Sequence, residues 1–243
     1  MNFIRVLCGA FVPIAALAAN ANRWAVETML ILDLCAGLKG ASQAMKERGW
    51  QVITLDFDPR FECDITADVR EWHYPAELPR PDFVWASPPC DEFARESMPW
   101  SKTGKVPDMS IVLACKRIIE EAQPKYYVVE NVRGAINYFR PHFGNYRLHI
   151  GAFFLWGFFP VPGEIKNNWK KKESYGSKQW AERAVIPAPL SRAIAIQAES
   201  QASFLTAQQS MHLTRGSLPD LEGFYKPEVL STSQALSTPT PRR

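Results

Sequence analysis

Apolar and polar positions alternate along this chain in two textures. Short continuous apolar runs at Leu30–Leu34, Gln51–Leu55, Asp82–Ala86 and Tyr126–Val129 each stop abruptly at polar or turn-forming residues. Runs of this length, rich in β-branched and aromatic residues, predict buried strands. Between them the apolar residues follow helical spacing. One such segment leads to Arg48 and stops at Gly49. Another runs through Met109, Val112, Leu113, Cys115, Ile118, Ile119 and Ala122 and stops before Pro124. Strands alternating with helices predict an α/β fold, a mostly parallel sheet with helices on both faces. Tyr146–Phe159 is aromatic and broken by Gly151 and Gly157, which predicts two late strands in an antiparallel hairpin. Pro187–Ala198 reads as a helix with proline near its start. From about Gln201 to Arg243 the composition shifts to Gln, Ser, Thr and Pro, and a flexible tail is expected.

Composition narrows this picture only a little. The 243 residues suffice for one core and a small appendage, and 47% hydrophobic with 22% charged residues is ordinary for a globular chain. A net charge of +3 allows a nucleic-acid partner without arguing for one. Local clustering is more informative. Residues 166–183 carry Lys166, Lys170, Lys171, Lys172, Lys178 and Arg183 among Trp169, Tyr175 and Trp180. Cations with aromatics suit phosphate contact and base stacking; a solvated surface loop is the competing reading. The five cysteines form no CxxC and the four histidines are scattered, so no metal site is expected, and an odd count of thiols suits a reducing, cytoplasmic compartment. Residues 1–28 conflict with that compartment. Of these, residues 1–22 hold one arginine, the apolar run Val6–Ala19 and small residues, the shape of an export signal, but the run is too short for a membrane span. The alternative start at Met29, directly before the first strand, is preferred, and the leader is set aside.

The chemistry collects at strand ends, the edge where open α/β sheets bind ligands. The first strand runs into Cys35-Ala36-Gly37-Leu38-Lys39-Gly40, a glycine turn before a helix. It matches neither GxGxxG nor a Walker motif, so pyrophosphate binding is not indicated. The second strand ends at Asp56-Phe57-Asp58, where an acid can hold a ribose diol and Phe57 can stack on a base; turn capping before Pro59 is the plainer reading. Asp64 and Asp68 follow as further acids. The third run ends in Ser87-Pro88-Pro89-Cys90. The prolines end the strand and stiffen the chain before the thiol, which is either a packed apolar residue or a nucleophile. Polar residues 91–107 then have the length and composition of a functional loop, suited to a lid. The fourth run delivers Glu130-Asn131-Val132.

Together these segments resemble the DNA cytosine-5 methyltransferase family, in particular compact, phage-type members. Asp33–Ser42 is similar to its S-adenosylmethionine loop, Ser87-Pro88-Pro89-Cys90 to its Pro-Cys nucleophile motif, and Glu130-Asn131-Val132 to its Glu-Asn-Val motif. Ala184–Ala195 is similar to the late helix that returns to the cofactor. The resemblance covers about residues 29–198 and implies a Rossmann-like S-adenosylmethionine-dependent catalytic domain over residues 29–200. It implies that Cys90 adds to C6 of cytosine, forming a covalent adduct, while Glu130 assists at N3. It further implies that Asp33, Cys35, Ala36, Gly37 and Gly40 cradle the methionine part of the donor. Asp56 would hold its ribose, Phe57 and Asp68 its adenine, and Pro88 would border it. Asn131, Arg147, Lys170 and Lys171 are the implied substrate contacts. DNA is the implied partner, with the base flipped out if duplex; RNA or a free nucleotide stays open. The cytoplasm of a host cell, and evasion of host restriction, follow if the chain is phage-encoded.

The chain also departs from that pattern. The family's Gln-x-Arg-x-Arg element is nearest to Asn145-Tyr-Arg147-Leu-His149, so either Arg147 or His149 takes the arginine's part. Glu182-Arg183 replaces a Gly-Asn, and the gap that holds the family's recognition domain is short. Two alternatives follow. An exocyclic amino methyltransferase would place an aromatic residue where Cys90 stands. A non-catalytic nucleic-acid-binding relative would account for the missing recognition domain.

Overall fold

A computed structural model describes residues 3–5, 11–13, 28–94, 106–163, 165 and 185–215. The chain divides into two compact units, Met1–Ser203 and Phe204–Arg243. In the first unit, β1 (Leu30–Leu34), β2 (Gln51–Asp56), β3 (Ile65–Thr66), β4 (Phe83–Ala86), β5 (Tyr126–Asn131), β6 (Leu148–Ile150) and β7 (Phe153–Phe158) form one sheet. Their order is β3-β2-β1-β4-β5-β7-β6. The first five strands are parallel, and β7 runs antiparallel to both β5 and β6. The start of this order is the Rossmann arrangement, and its direction reverses between β1 and β4. The expected α/β architecture and late hairpin are both present, and the hairpin occupies the edge beyond β5. Within residues 1–28, Phe3–Arg5 and Phe11–Pro13 pair as a separate antiparallel ribbon.

The helices are α1 (Gly40–Lys46), α2 (Asp91–Ala94), α3 (Ser110–Ala122), α4 (Ile136–Phe143) and α5 (Ala188–Arg215). Strand side chains alternate between faces, so each parallel strand feeds two cores. Leu32, Leu34, Val84, Ala86 and Val129 pack with Val112, Cys115, Ile118 and Phe139 from α3 and α4. Ile31, Phe83, Trp85 and Val128 pack with Met45 of α1 and Leu190, Ile194 and Ala198 of α5. This double burial is why the strands read as continuous apolar runs. The predicted stripe on α3 holds except at Leu113, which faces solvent.

Two helices differ from the sequence expectation. The sequence pattern predicts no helix over Ile136–Phe143, which contains Pro141. It forms because Phe139 is fully buried, its ring 4.8 Å from Trp156 and 5.3 Å from Phe93, and because Pro141 near the helix end forfeits little backbone bonding. Helix α5 continues past Ala198 to Arg215, its last turns belonging to the second unit. Its first part is pinned by Glu199, which accepts from Trp50 Nε1 at 2.7 Å and Arg48 Nε at 2.8 Å. Among the described residues no helix is long and apolar enough to cross a membrane.

Gly40 shows how α5 closes on the strand ends. A Cβ there would lie 2.6 Å from Val185 Cγ1 and 2.7 Å from both the nitrogen and the oxygen of Ile186. The glycine is therefore required by the chain entering α5. Gly40→Ala should lower stability by about 2 kcal/mol. Urea unfolding should show a lower midpoint with an unchanged slope.

Candidate active site

The register of the parallel strands lines up four endings. Leu34 pairs with Leu55 on one side and Ala86 on the other, and Ala86 pairs with Val129. The next residue on each strand, Cys35, Asp56, Ser87 and Glu130, therefore stands at one carboxyl edge, beside the point where the strand order reverses.

The β1 and β2 endings make a cradle. Cys35, Gly37 and Lys39 have φ of 55°, 49° and 61°. For Cys35 and Lys39 a left-handed backbone costs about 1–2 kcal/mol each. Side-chain anchors oppose that cost: Lys39 Nζ donates to the Glu62 carbonyl at 2.7 Å, and Cys35 Sγ lies 4.0 Å from Cys115 Sγ on α3. The Cys35 thiol thus faces away from the cradle, toward α3. The contact with Cys115 and burial push it well above the ordinary thiol range. The backbone of Cys35, one of the residues expected to cradle the donor, stands at the carboxyl edge of the sheet. Ala36 N–H donates to Leu55 O at 3.0 Å. Asp56 accepts from the N–H groups of Gly37 at 2.9 Å and Asp58 at 3.0 Å, so its carboxylate braces the turn. Gly37 itself faces open space.

Asp33 lies beneath this turn. Its Oδ2 accepts from Ser42 Oγ at 2.6 Å, and its buried Oδ1 has no hydrogen-bond partner among the described residues. Burial pushes the carboxyl up to about 7, against the Ser42 contacts. Past Asp56, Phe57 is 68% exposed. A buried unpaired carboxylate oxygen, an open glycine and an exposed ring fit the ammonium, chain and base of S-adenosylmethionine. The other acids are committed elsewhere. Asp68 is held by Arg70, whose hydrogen bonds keep it below the usual carboxylate range. Asp64 accepts from Thr54 N at 2.8 Å and Thr54 Oγ1 at 2.7 Å. Gly40 also packs against Val185 and Ile186.

The β4 and β5 endings hold the nucleophile candidate. Ser87 N–H donates to Leu34 O at 3.0 Å and extends the ladder by one residue. Asn131, fully buried, donates from Nδ2 to the Pro88 carbonyl at 3.0 Å, and its Oδ1 accepts from Val132 N at 2.9 Å. Asn131 thus clamps the Pro88-Pro89-Cys90 loop from within; it does not face outward as a substrate contact. Cys90 is half-buried, and its carbonyl accepts from Ala94 N at 2.7 Å, starting α2 at the head of the segment expected as a lid. Residues 95–105 lie outside the described residues. Glu130 is 9% exposed, and burial pushes its carboxyl up to about 8, partly offset by a hydrogen bond from Ser87. Ser87 in turn accepts from Trp85 Nε1 at 3.1 Å. The sequence motifs assign no role to Ser87 or Trp85, yet strand alternation places residues 85 and 87 on the same face as 128 and 130.

Arg147 and His149, the two candidates for the arginine's part, flank Leu148 in the chain. Leu155 pairs with both Glu130 and Leu148, so Leu148 and Ile150 share the Glu130 face of the sheet. The Arg147 guanidinium lies over the rings of Phe158 and Phe159, at 5.8 and 5.7 Å, and Phe158 pairs with Tyr127 near the opposite end of β5. His149 stacks on Phe154 at 4.1 Å, and its Nε2 lies 2.9 Å from Gly151 O. Lys170 and Lys171 lie outside the described residues, as does the rest of segment 166–183.

Comparison with known proteins points to one family. The model of the C-5 cytosine-specific DNA methylase family matches residues 29–141, which span the cradle, Cys90 and Glu130. A curated relative from Frog virus 3 (isolate Goorha), named "Probable DNA (cytosine-5)-methyltransferase", is 33% identical over 145 residues. That match takes in 54% of this chain and 66% of the relative, just under two thirds of its length. Among solved structures, the S. pombe Dnmt2 methyltransferase is similar at 16% identity and a TM-score of 0.37, over 60% of this chain and 57% of that one. A mutant of the 16S rRNA (adenine(1408)-N(1))-methyltransferase from Catenulisporales acidiphilia is similar at 14% identity and a TM-score of 0.32, over 55% of this chain and 71% of that one. Over residues 29–141 the chain is similar to the C-5 cytosine-specific DNA methylase family, whose methyl donor is S-adenosylmethionine.

Proposed function

We propose that the protein methylates C5 of cytosine in DNA through a covalent adduct on Cys90. The observation that carries this reading is the placement of the Cys90 loop beside a buried, proton-holding Glu130, with Asn131 tying the two strand ends together. C5 of cytosine is a weak nucleophile. A thiolate from Cys90 adding at C6 breaks the ring's aromaticity, and a proton supplied at N3 by Glu130 neutralises the charge that develops. C5 then has enamine character and can receive a methyl group. Loss of the C5 proton to a base, with departure of Cys90 from C6, restores the aromatic ring. A carboxyl near its ordinary value would be ionised at neutral pH and could not donate, whereas one raised to about 8 keeps its proton.

S-adenosylmethionine supplies the methyl electrophile. Asp33 Oδ1 would receive its ammonium, the Ala36-Gly37 backbone would line the methionine chain, Asp56 would face the ribose, and Phe57 would cover the base. In duplex DNA the cytosine must leave the stack to reach Cys90. The basic segment 166–183 would contact phosphates in the space where the family carries its recognition domain.

Two outcomes test this reading. Mass spectrometry of digested DNA after incubation with the donor should show 5-methylcytosine with the unaltered protein. Cys90→Ala should yield none, and Glu130→Gln should cut the rate at least about 100-fold. Continued methylation by Cys90→Ala would refute the nucleophile. The second outcome needs no substrate. A carboxyl whose folded pKa is raised destabilises the folded state as pH rises from its ordinary range, near 4.5, to about 8. Glu130→Gln should therefore match the unaltered protein near pH 4.5 and exceed it at pH 9 by about 2–4 kcal/mol. Thermal unfolding against pH measures this, and a gap that does not widen with pH would show that Glu130 ionises normally.

A further inference from the structure

The methyl-transfer reading requires more of Glu130 than a raised affinity for its proton. The proton must sit on the oxygen that meets the base. Across the sheet, Glu130 has Leu155 on one side and, one residue beyond the Ala86–Val129 pair, Ser87 on the other. Burial and the Ser87 hydroxyl are the influences that act on its ionisation. Of the other acids on this face, Asp33 lies two strands away at the level of Val128 and Asp56 three strands away at the level of Glu130, and Cys90 is the titratable group at the end of the Ser87 loop.

The serine is itself constrained. Its Oγ accepts from the Trp85 indole N–H at 3.1 Å, and Trp85 is fully buried between the sheet and its α1/α5 core. An indole nitrogen can only donate. Trp85 occupies one of the two lone pairs of the Ser87 hydroxyl and fixes its orientation, and the hydroxyl donates its single proton to Glu130. The carboxyl oxygen that receives this bond is a poor place for the acid proton, which is left on the other oxygen.

Resting on the cytosine methyl-transfer reading, we propose that Ser87 is a positioning residue: oriented by Trp85, it occupies one oxygen of Glu130 and so directs the acid proton from the other oxygen toward N3 of the base. The relay runs one way, from indole to hydroxyl to carboxyl. A serine free to rotate would accept the Glu130 proton itself and compete with the substrate for it. The motif residue before the two prolines thereby acquires a function distinct from the nucleophile three residues on.

The test is an infrared titration of Glu130 in the protein without donor or DNA, using Glu130→Gln to subtract every other carboxyl. The unaltered protein should titrate near 8. Ser87→Ala removes a bond to the ionised form, so its midpoint should rise by about one pH unit, and Ser87→Thr should restore it. Trp85→Phe frees the hydroxyl and should also move the midpoint upward, which keeps the test decisive if Ser87→Ala proves unfolded by circular dichroism. In methylation assays Ser87→Ala should lower kcat about tenfold and leave KM within about twofold, because the contact acts on the developing charge. The alkaline limb of its pH profile should move upward as well. A Ser87→Ala midpoint equal to that of the unaltered protein overturns the inference, even if methylation slows. Failure of the parent reading looks different: the unaltered protein would methylate no cytosine, while the titration would still report on the Ser87–Glu130 contact.

Discussion

The hydrogen bond from the buried Asn131 amide to the Pro88 carbonyl joins the ends of two adjacent strands that the ladder alone leaves free. Past Ala86 and Val129 the β4 and β5 chains diverge, one into a diproline loop and the other into a turn. The diproline supplies no N–H to hold the loop to the sheet. Asn131 supplies that bond, and Val132 N–H orients the amide by donating to its carbonyl. The loop that leads to Cys90 is thereby tied to the end of the strand that carries Glu130, through an amide that is fully buried. Asn131 belongs to the frame of the site, although its place beside Glu130 in the sequence suggests contact with substrate.

The second constraint is the burial of Asp33 and Glu130, two of the three carboxyl groups buried in the strands of the sheet. Asp33 and Glu130 both project toward the α1/α5 side, and burial raises both well above their ordinary values. Such groups weaken the fold at alkaline pH, since ionising either inside the protein is unfavourable. Each is partly relieved by one serine, Ser42 for Asp33 and Ser87 for Glu130, and each keeps capacity for a further partner. That arrangement suits one end of the edge to a cationic donor and the other to proton transfer at a base. The register sets β1, β4 and β5 level at their carboxyl ends.

Much of this was legible in the sequence because both cores bury the same strands. Double burial produces continuous apolar runs, and where a run stops the chain reaches the ligand edge, so Cys90, Glu130, Asp56 and the Gly37 turn could be located by position. What stayed illegible depends on contacts between distant segments. Helix α4 is formed by Phe139 packing on Trp156 and Phe93, against the local signal of Pro141. That the missing side chain of Gly40 makes room for Ile186, far along the chain, has no local signal. Cys35 turns to Cys115 because its backbone is left-handed, which no pattern of residue types reveals. Arg147 and His149 were candidates by motif spacing, and only the β6–β7–β5 register shows that they do not share the face of Glu130.

The central claim is that Cys90 becomes covalently bonded to a cytosine during the reaction. Incubating the protein with S-adenosylmethionine and DNA containing 5-fluorocytosine tests it directly, because fluorine at C5 cannot leave as the proton does and the adduct should persist. Peptide mass spectrometry should then find the modified nucleotide on the peptide containing Cys90, and only when the donor is present. An adduct on any other cysteine, or 5-methylcytosine formed on ordinary DNA without any trapped adduct on the fluorinated substrate, would contradict the account.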